Sequence, residues 1–327
     1  MVIQLLELFG GIGAPRKALV NLGVPHKSID YVEFNEKAVR SYNAMFNNDY
    51  MPQDVRGFNL QPDILVHGSP CQDFSIGGKQ YGGNVEDGTR SSLMFETIQI
   101  IKNLGVWKPK VVVWENVTNV LNKRHTSAFN HYIDDLTELG YTTTYDVLDA
   151  REFGIPQARK RIFAISQLNG KWFNFLELEK KPMRSIEEFL TDDYGPQHIV
   201  DQPSMLSKLP GTPITSNYTR KLDVIKEYSW TVTTKQMRCP NAGVIPLGDG
   251  SYRYITEKEA WRLMGFNDDD FHAASSVHKG VSGKLNGALY HQAGNSMVVQ
   301  VLEAIFKVIL SEVDTNGANN RERQVSV

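Results

Sequence analysis

Short apolar runs alternate with amphipathic stretches along the first half of the chain. The runs have the length of buried strands, and glycine or polar turn residues end most of them. They are "VIQLLEL" (2–8), "SIDYVEF" (28–34), "DILVHG" (63–68), "KVVVWEN" (110–116), "YTTTYDVLD" (141–149) and "RIFAIS" (161–166). Because amphipathic segments separate most of these runs, the pattern predicts an α/β fold with a mostly parallel, doubly wound sheet.

The amphipathic stretches complete this alternation. Helical spacing of their apolar positions predicts helices at about 14–22, 35–46, 91–105, 129–140 and 297–312. We expect a further strand to end near Asp54, which makes the strand before Cys71 the fourth and the strand before Glu115 the fifth. Since parallel strands end at one edge of a sheet, the residues that follow them should lie close together.

From about residue 168 the character of the sequence changes. Prolines, glycines and short stretches of mixed polarity replace the alternation until "EKEAWRLMGF" (257–266). This change indicates a second, less regular domain inserted before the chain returns to the first. We therefore predict a first domain at 1–167 that 285–313 completes, an irregular domain at 168–284, and a disordered tail at 314–327.

The composition is that of a globular protein, with 41% hydrophobic and 22% charged residues among 327. We find no apolar stretch of membrane-spanning length and no basic region that would open a secretory signal. The two cysteines, Cys71 and Cys239, are too few for a disulfide framework, and nothing has the spacing of metal ligands. A free thiol suits the reducing cytoplasm. The net charge of −2 leaves nucleic-acid binding open, since a basic cleft can lie on a neutral protein.

Glycines lie between the first strand and the first helix, in "LELFGGIGA" (6–14). A backbone can approach a ligand closely there, although a plain turn in an α/β fold would look similar. Glu33 ends the second strand, where doubly wound domains hold the hydroxyls of a ribose. Asp54 could accept a hydrogen bond from an adenine amine. Either acid alone is more often a solvated loop residue, but the three features together predict a nucleoside-containing cofactor.

A thiol and a carboxylate follow two neighbouring strands. Cys71 and Glu115 should therefore face one pocket at the carboxyl edge of the sheet. Arg159 and Arg161 begin a further strand and point to the same face, because side chains in a strand repeat with a period of two. The alternatives are a small apolar residue that merely packs and a solvated pair of arginines. The convergence on one edge favours a reactive site with Cys71 as a nucleophile.

These residues carry a resemblance to the DNA (cytosine-5)-methyltransferases of the bacterial or phage modification type. The matching pieces run from Glu7 to Leu302, in the family's order: "ELFGGIGA", "VEFNEKAVRSY", "GSPCQDFSIGGK", "RSSLMFETIQII", "WENV", "QARKRIFAI", "EKEAWRLMGF" and "GNSMVVQVL". The chain departs from the pattern at Glu7, where aspartate is frequent, at Ala14, where glycine is frequent, and at Gln300, where many members have proline. The resemblance implies a Rossmann-like catalytic domain and a smaller target-recognition domain at 168–284.

The resemblance also implies a mechanism. The Cys71 thiolate would add to C6 of cytosine and activate C5 to take a methyl group, since covalent catalysis divides one hard step into easier ones. Glu115 would hold the base and supply a proton to N3. Arg161 would orient the base through its O2. Arg159 would support the catalytic glutamate or contact a phosphate.

The implied cofactor is S-adenosylmethionine. By resemblance Phe9 and Phe34 would cover the adenine, Glu33 would bind the ribose, Asp54 would meet the adenine amine and Asn295 would hold the methionine end. The full set implied is Phe9, Gly11, Ile12, Gly13, Glu33, Phe34, Asp54, Pro70, Leu93 and Asn295.

The implied substrate is duplex DNA with the target cytosine flipped out of the helix. Gln72 and Ser75, on a loop after the nucleophile, would touch the DNA. Between 203 and 243 the chain has six basic and two acidic residues, which suits phosphate contact as well as a plain solvated face. Within "SWTVTTKQMR" (229–238) we expect contacts from Thr231, Lys235, Gln236 and Arg238.

Further expectations concern partners and rivals. We expect a cytoplasmic, nucleoid-associated monomer in a bacterial cell or a phage-infected host. A cognate restriction endonuclease is a candidate partner whose existence the sequence leaves open. An RNA cytosine methyltransferase would share every catalytic motif, and the large irregular segment favours DNA. A catalytically dead DNA-binding relative is disfavoured by intact Cys71, Glu115 and Arg161.

Overall fold

The structure is a computed structural model, and it describes residues 2–55, 61–69, 94–123, 125–168, 170–213 and 221–324. Its centre is a six-stranded sheet in the order β2–β1–β3–β4–β7–β5. The strands are β1 (Ile3–Leu8), β2 (His26–Val32), β3 (Ile64–His67), β4 (Val111–Val117), β5 (Tyr141–Asp149) and β7 (Lys160–Leu168). Strands β1 to β4 are parallel, and β7 runs antiparallel to both β4 and β5. The predicted α/β class with a mostly parallel sheet is confirmed.

Helices cover both faces of this sheet. They are α1 (Ala14–Asn21), α2 (Glu36–Phe46), α3 (Met94–Leu104), α4 (Thr126–Glu138), α5 (Pro203–Leu206), α6 (Glu257–Arg262), α7 (Asp268–Val277), α8 (Gly287–Asn295) and α9 (Val299–Gln324). In β1, Leu5 belongs to the core shared with α1 and α9, whereas Leu6 belongs to the core shared with α3 and α4. The alternation arises because successive side chains of a strand point to opposite faces. The sheet is therefore doubly wound.

The segment after β7 has little regular structure. β6 (Gln157–Ala158) pairs in parallel with β8 (Ser229–Trp230), and β9 (Val244–Pro246) pairs antiparallel with β10 (Tyr252–Tyr254). Later in the segment, α7 packs on α2 and its Asp270 forms a buried ion pair with Lys17 of α1 at 2.8 Å. The boundary predicted at 284 therefore separates α7 from helices that it contacts.

Two boundaries differ from the sequence prediction. Residues 50–55 form no strand, because Pro52 removes a ladder donor and the apolar run there is short. β3 is thus the third strand, and Glu115 lies inside β4, the fourth, rather than after a fifth strand. At the other end, α9 continues to Gln324 through the predicted tail, where the sequence contains no proline to stop it.

One stretch contradicts the expectation of no membrane-length apolar segment. Gly287–Ser311 has the length of a membrane span and a mean hydropathy of 1.5 in its most apolar window. That window is 61% buried inside the fold, and the stretch is interrupted between α8 and α9. Leu302, Ile305 and Phe306 belong to the main core. Packing within the protein therefore accounts for its apolar residues.

Candidate active site

The glycine loop, residues 9–13, joins β1 to α1 at the carboxyl edge of the sheet. Gly11 and Gly13 have left-handed φ angles of 55° and 77°, and Phe9 also has a positive φ of 53°. A Cβ added to Gly10 would lie 2.6 Å from the Tyr31 ring, and one added to Gly13 would lie 2.6 Å from the Tyr42 ring. The loop therefore needs glycine for both conformation and space. Ile12 is buried in the core, so only its backbone could face a ligand.

Glu33 follows β2 directly beside this loop. Its carboxylate accepts hydrogen bonds from the Gly11 amide at 2.9 Å and the Asn35 amide at 2.8 Å. Burial raises the pKa of Glu33, and these amide bonds act in the opposite direction. Phe34 is 79% exposed, as a ring available to stack on a ligand would be. Asp54 is exposed too.

Asn295 ends α8, far along the chain from the glycine loop. Its exposed side chain lies 3.5 Å from Nδ1 of His291. Two other predicted cofactor residues, Pro70 and Leu93, lie outside the described residues, as do the predicted nucleophile Cys71 and the predicted DNA contacts Gln72 and Ser75.

The chain leading to Cys71 is fixed by two side chains of β4. Trp114 donates its indole N–H to Oγ of Ser69 at 3.0 Å, and Asn116 donates its amide to the Ser69 carbonyl at 3.2 Å. Ser69 is 4% exposed. Two buried donors therefore fix the position of Ser69, two residues before Cys71. The sequence analysis missed Trp114 because an apolar position in a buried strand signals only packing.

Glu115 and Arg161 form an ion pair across the β4–β7 junction. Arg161 Nε lies 3.3 Å from Glu115 Oε1, and both side chains are largely buried. A Cβ on Gly68 would be 3.7 Å from the other Glu115 oxygen, so the carboxyl group sits beside the end of β3. Burial raises the pKa of Glu115 and outweighs the nearby Arg161 and Arg159, which act to lower it. The site thus holds a carboxyl group that takes up a proton more readily than usual.

Arg159 has different contacts from Arg161. It is 3% exposed, and its guanidinium donates to the carbonyls of Val232 at 3.0 Å, Gly294 at 3.2 Å and Ser296 at 2.7 Å. These bonds favour support of the Glu115 region over a phosphate contact, and the role of Arg159 stays a prediction. Arg159 connects the segment after β8 to the turn after α8, and its charge acts to lower the pKa of Glu115.

Gln157 makes a similar connection, which the sequence analysis missed. Its amide oxygen accepts from the Val232 amide at 2.9 Å, and its nitrogen donates to the Leu263 carbonyl at 2.8 Å. Thr231 donates its hydroxyl to the Ala158 carbonyl at 2.7 Å, so this predicted DNA contact also has a structural bond. The signal was present, since Gln157 opens the same "QARKR" stretch as the two arginines.

The other predicted DNA contacts, Lys235, Gln236 and Arg238, differ in solvent exposure. Lys235 and Arg238 are exposed. Gln236 is 2% exposed, and its amide oxygen accepts from the Ala242 amide at 3.2 Å. This burial and the bond to its own loop favour a structural role for Gln236, and its contact with DNA stays a prediction.

A cavity of about 480 Å³ lies elsewhere, between α1, the α6–α7 turn and the start of α9. None of the predicted catalytic or cofactor residues lines it. Its wall includes Gln300, which donates to the Gly265 carbonyl at 3.3 Å. In the described part of the chain no group of three or more His, Cys, Asp or Glu side chains could hold a metal ion.

Comparison with known proteins agrees with this geometry. The type II methyltransferase M2.ScrFI of Lactococcus lactis subsp. cremoris is 30% identical over 371 aligned positions, which cover 94% of this chain and 98% of that protein. M.HhaI of Haemophilus parahaemolyticus is 29% identical over 327 positions, 93% of each chain. The orphan methyltransferase M.Rho11sI of Bacillus phage rho11s is 34% identical over 169 positions, 50% of this chain and 32% of that one.

Solved structures show the same fold. The crystal structure of the Schizosaccharomyces pombe Dnmt2 methyltransferase superposes with a TM-score of 0.74 at 19% identity, covering 96% of this chain and 99% of that one. The family model described as C-5 cytosine-specific DNA methylase matches residues 3–311. The chain therefore belongs to the C-5 cytosine-specific DNA methylase family and is a DNA (cytosine-5-)-methyltransferase.

Proposed function

We propose that the enzyme transfers a methyl group from S-adenosylmethionine to C5 of a flipped-out cytosine in a specific duplex DNA sequence, through a covalent Cys71 adduct at C6. The observation that carries this proposal is the buried Glu115–Arg161 pair beside Gly68 and Ser69. A proton donor for the base thereby lies at the strand end from which the chain continues to Cys71. The glycine loop and Glu33 lie at the same edge of the sheet.

Cys71, Glu115 and Arg161 each have one role in the proposed reaction. The Cys71 thiolate forms a bond to C6, and the electron pair displaced toward N3 is met by a proton from Glu115. The raised pKa of Glu115 supports this role, because a general acid must carry a proton near the working pH. Arg161 orients both the Glu115 carboxyl group and the base. C5 then bonds the methyl group. A water molecule accepts the C5 proton, the C5–C6 double bond re-forms as the thiolate leaves C6, and N3 returns its proton to Glu115.

The residues at the glycine loop fit a nucleoside-containing methyl donor. When bound, S-adenosylmethionine supplies an electrophilic methyl group. Glu33 can also accept from the ribose, because its two oxygens offer about four lone-pair positions, of which the amides of Gly11, Asn35 and Phe34 take only part. The positive-φ glycines leave the loop backbone open to close approach, and the exposed Phe34 provides an aromatic face. Phe9, Asp54 and Asn295 complete the site that we assign.

The irregular segment is assigned to DNA recognition. Lys235 and Arg238 are exposed on the loop that Gln157 and Arg159 anchor, which supports contact with the DNA backbone. A cytoplasmic, nucleoid-associated monomer fits this function. Type II relatives suggest a cognate endonuclease, and relatives that are orphan methyltransferases suggest that the enzyme could also act without one. Since the family acts on DNA, the RNA alternative is a control rather than a second candidate.

A trapping experiment tests the covalent route. The target sequence is first mapped by bisulfite sequencing of DNA from cells that express the enzyme. Duplex DNA with 5-fluorocytosine at that target should form a denaturation-resistant complex only when S-adenosylmethionine is present, because fluorine cannot leave as a cation and the thiol stays bound.

The matched variants are Cys71→Ser, which should give no complex, and Cys239→Ser, which should trap as the wild type does. If normal DNA is methylated but the fluorinated duplex gives no shifted band, the covalent route is wrong. Trapping on transfer RNA but not on the duplex would contradict the assignment of the DNA substrate.

A further inference from the structure

We propose that Glu7, Tyr42 and Tyr31 form a buried support that holds the glycine loop in the conformation that binds the methyl donor. The three are positioning residues, since they act through the loop rather than on the donor. This inference rests on the proposed function, which assigns the loop to S-adenosylmethionine. We call these three residues the tyrosine support.

Glu7 lies at the centre of the tyrosine support and is fully buried. Tyr42 donates its hydroxyl to Glu7 Oε2 at 2.6 Å, and the Arg16 amide donates to Glu7 Oε1 at 3.4 Å. Arg16 Nη1 in turn donates to the Tyr42 hydroxyl at 3.3 Å and to Asn48 at 2.6 Å. One carboxyl group on β1 thus joins the start of α1, directly after the loop, to α2.

The two tyrosines carry this connection to the loop itself. The Tyr31 and Tyr42 rings are stacked, with centroids 3.7 Å apart. Tyr31 donates its hydroxyl to the Gly11 carbonyl. The Tyr31 ring lies against Gly10, and the Tyr42 ring lies against Gly13. The rings therefore contact both ends of the loop, and its middle carbonyl is bonded to one of them.

The length of the Glu7 side chain lets its carboxyl group accept a hydrogen bond from the Tyr42 hydroxyl. An aspartate, which is frequent in the family at this point, is shorter by one carbon–carbon bond of about 1.5 Å. Its carboxyl group would fall short of a hydrogen bond to Tyr42, since such bonds weaken steeply with distance. The departure from the family pattern is thereby matched to a tyrosine at position 42.

The charge of Glu7 should make the tyrosine support sensitive to pH. Burial raises the pKa of Glu7 to about 7, against the opposing effects of Tyr42 and Arg16. The ionisable groups that face it are Arg16 on α1, Tyr42 on α2 and Tyr31 on β2, and Glu33 acts on Tyr31. Burial and Glu7 raise the pKa of Tyr42, so it stays a donor. Protonation of Glu7 below about pH 7 weakens it as the acceptor of that bond.

Single hydroxyl deletions test the proposal. Tyr42→Phe and Tyr31→Phe keep the stacked rings but remove the bonds to Glu7 and Gly11. Tyr50→Phe is the matched control, because its ring belongs to the same cluster and its hydroxyl bonds only to the Ser28 carbonyl among the contacts described, at 3.3 Å. The readouts are the Kd of S-adenosylmethionine for the DNA-free enzyme by calorimetry, amide hydrogen exchange at 10–13 without ligand, and kcat at saturating donor.

We expect Tyr42→Phe to raise the donor Kd about tenfold, which is the scale of one hydrogen bond to a charged group. Exchange in the loop should speed up, while kcat at saturation and KM for DNA stay within about twofold of wild type. Tyr31→Phe should do the same to a smaller extent, and Tyr50→Phe should change nothing. Wild-type affinity should fall between pH 8 and pH 6, and Glu7→Gln should remove that dependence.

The outcomes separate this inference from the proposed function. A wild-type enzyme that binds no S-adenosylmethionine would contradict the function. Wild-type binding with unchanged Kd and unchanged exchange in both Tyr42→Phe and Tyr31→Phe would overturn the tyrosine support. A loss of kcat with unchanged Kd would overturn it too. If Tyr42→Phe does not fold, Tyr31→Phe decides the question, since it removes only the bond to Gly11.

Discussion

Two groups of residues at the carboxyl edge of the sheet, one around the glycine loop and one around Glu115, are built in different ways. At the cofactor end, the glycine loop, Glu33 and the tyrosine support all lie within the first 42 residues, and backbone amides satisfy Glu33. At the proposed catalytic end, Glu115 and Arg161 come from the paired strands β4 and β7, which β5 separates along the chain, and Arg159 brings in Val232 and Ser296. The cofactor end is local and depends on backbone shape, whereas the catalytic end depends on single side chains from distant segments. Substitutions should therefore affect affinity at the first end and turnover or stability at the second.

The largest effect is expected at the catalytic carboxyl group. Glu115→Gln should lower kcat by roughly 10²–10⁴, the usual contribution of a general acid, because the amide has no acidic proton for N3. The donor Kd should stay within about twofold, since in the described part of the chain Glu115 pairs with Arg161 rather than with the glycine loop. Single-turnover methylation and calorimetry measure the two quantities. An equal loss of donor affinity would mean that the two ends are not separate.

The two arginines should separate stability from turnover. Arg159→Met leaves three carbonyls without their donor and should lower the free energy of unfolding by about 3 kcal/mol. Arg161→Met should lower turnover with less than half of that loss in stability, because Arg161 contacts Glu115 rather than three distant backbone groups. Urea unfolding and single-turnover rates of both variants check this. Equal unfolding energies would contradict the separate roles.

In the glycine loop, two requirements for glycine can be tested separately. One is the lack of room for a Cβ, and the other is the positive φ. Gly13→Ala and Gly23→Ala both put alanine at a positive φ, which costs about 1 kcal/mol each. An added Cβ at Gly13 also meets the Tyr42 and Phe46 rings, whereas at Gly23 it meets nothing within 4 Å. Gly13→Ala should therefore lose about 2 kcal/mol more in unfolding free energy and bind the donor at least fivefold more weakly. Similar unfolding free energies and donor Kd values for Gly13→Ala and Gly23→Ala would show that the Tyr42 and Phe46 rings move aside at little energetic cost.

The smallest effect is expected in the recognition segment. Lys235→Ala should weaken DNA binding about threefold at low salt and reduce the slope of log K against log salt by about 1, because one phosphate contact is lost. Lys27→Ala is the control. Lys27 is exposed near the start of β2, at the amino edge of the sheet, whereas the proposed site lies at the carboxyl edge. Fluorescence anisotropy over a salt series gives both values. Equal slopes for Lys235→Ala and the wild type would place Lys235 away from DNA.

The sequence predicts the local parts of this site better than the assembled ones. Glu33 and the glycine loop follow from one rule, the position of polar residues after a parallel strand, and the structure brings them together. Tyr42 was missed because an aromatic residue on an amphipathic helix looks like ordinary core. The strand predicted near Asp54 was wrong because Pro52 interrupts the pairing pattern.

Burial explains the other differences. Arg159 and Gln236 belong to residue types that normally lie at the surface, so their sequence positions indicated ligand contact. In the structure, chain segments more than 70 residues from Arg159 fold over it and occupy its donors with carbonyls. No periodicity in the "QARKR" stretch distinguishes Arg159 from Arg161, since both point to one face of a strand. Only the tertiary partners distinguish them, since Arg159 bonds to backbone carbonyls and Arg161 pairs with Glu115.

The anchoring of β8 has a consequence for how such enzymes acquire new targets. Pro156, Gln157 and Arg159 bind the main chain of Ser229 and Val232, and Pro156 also accepts from the Ser229 hydroxyl. A graft that replaces the insert before Ser229 but keeps the chain from Ser229 onward retains every one of these bonds whatever the incoming sequence is. If the irregular segment recognises DNA, as proposed, sequence changes before Ser229 could therefore alter it while the main-chain bonds that hold β8 to the first domain stay in place.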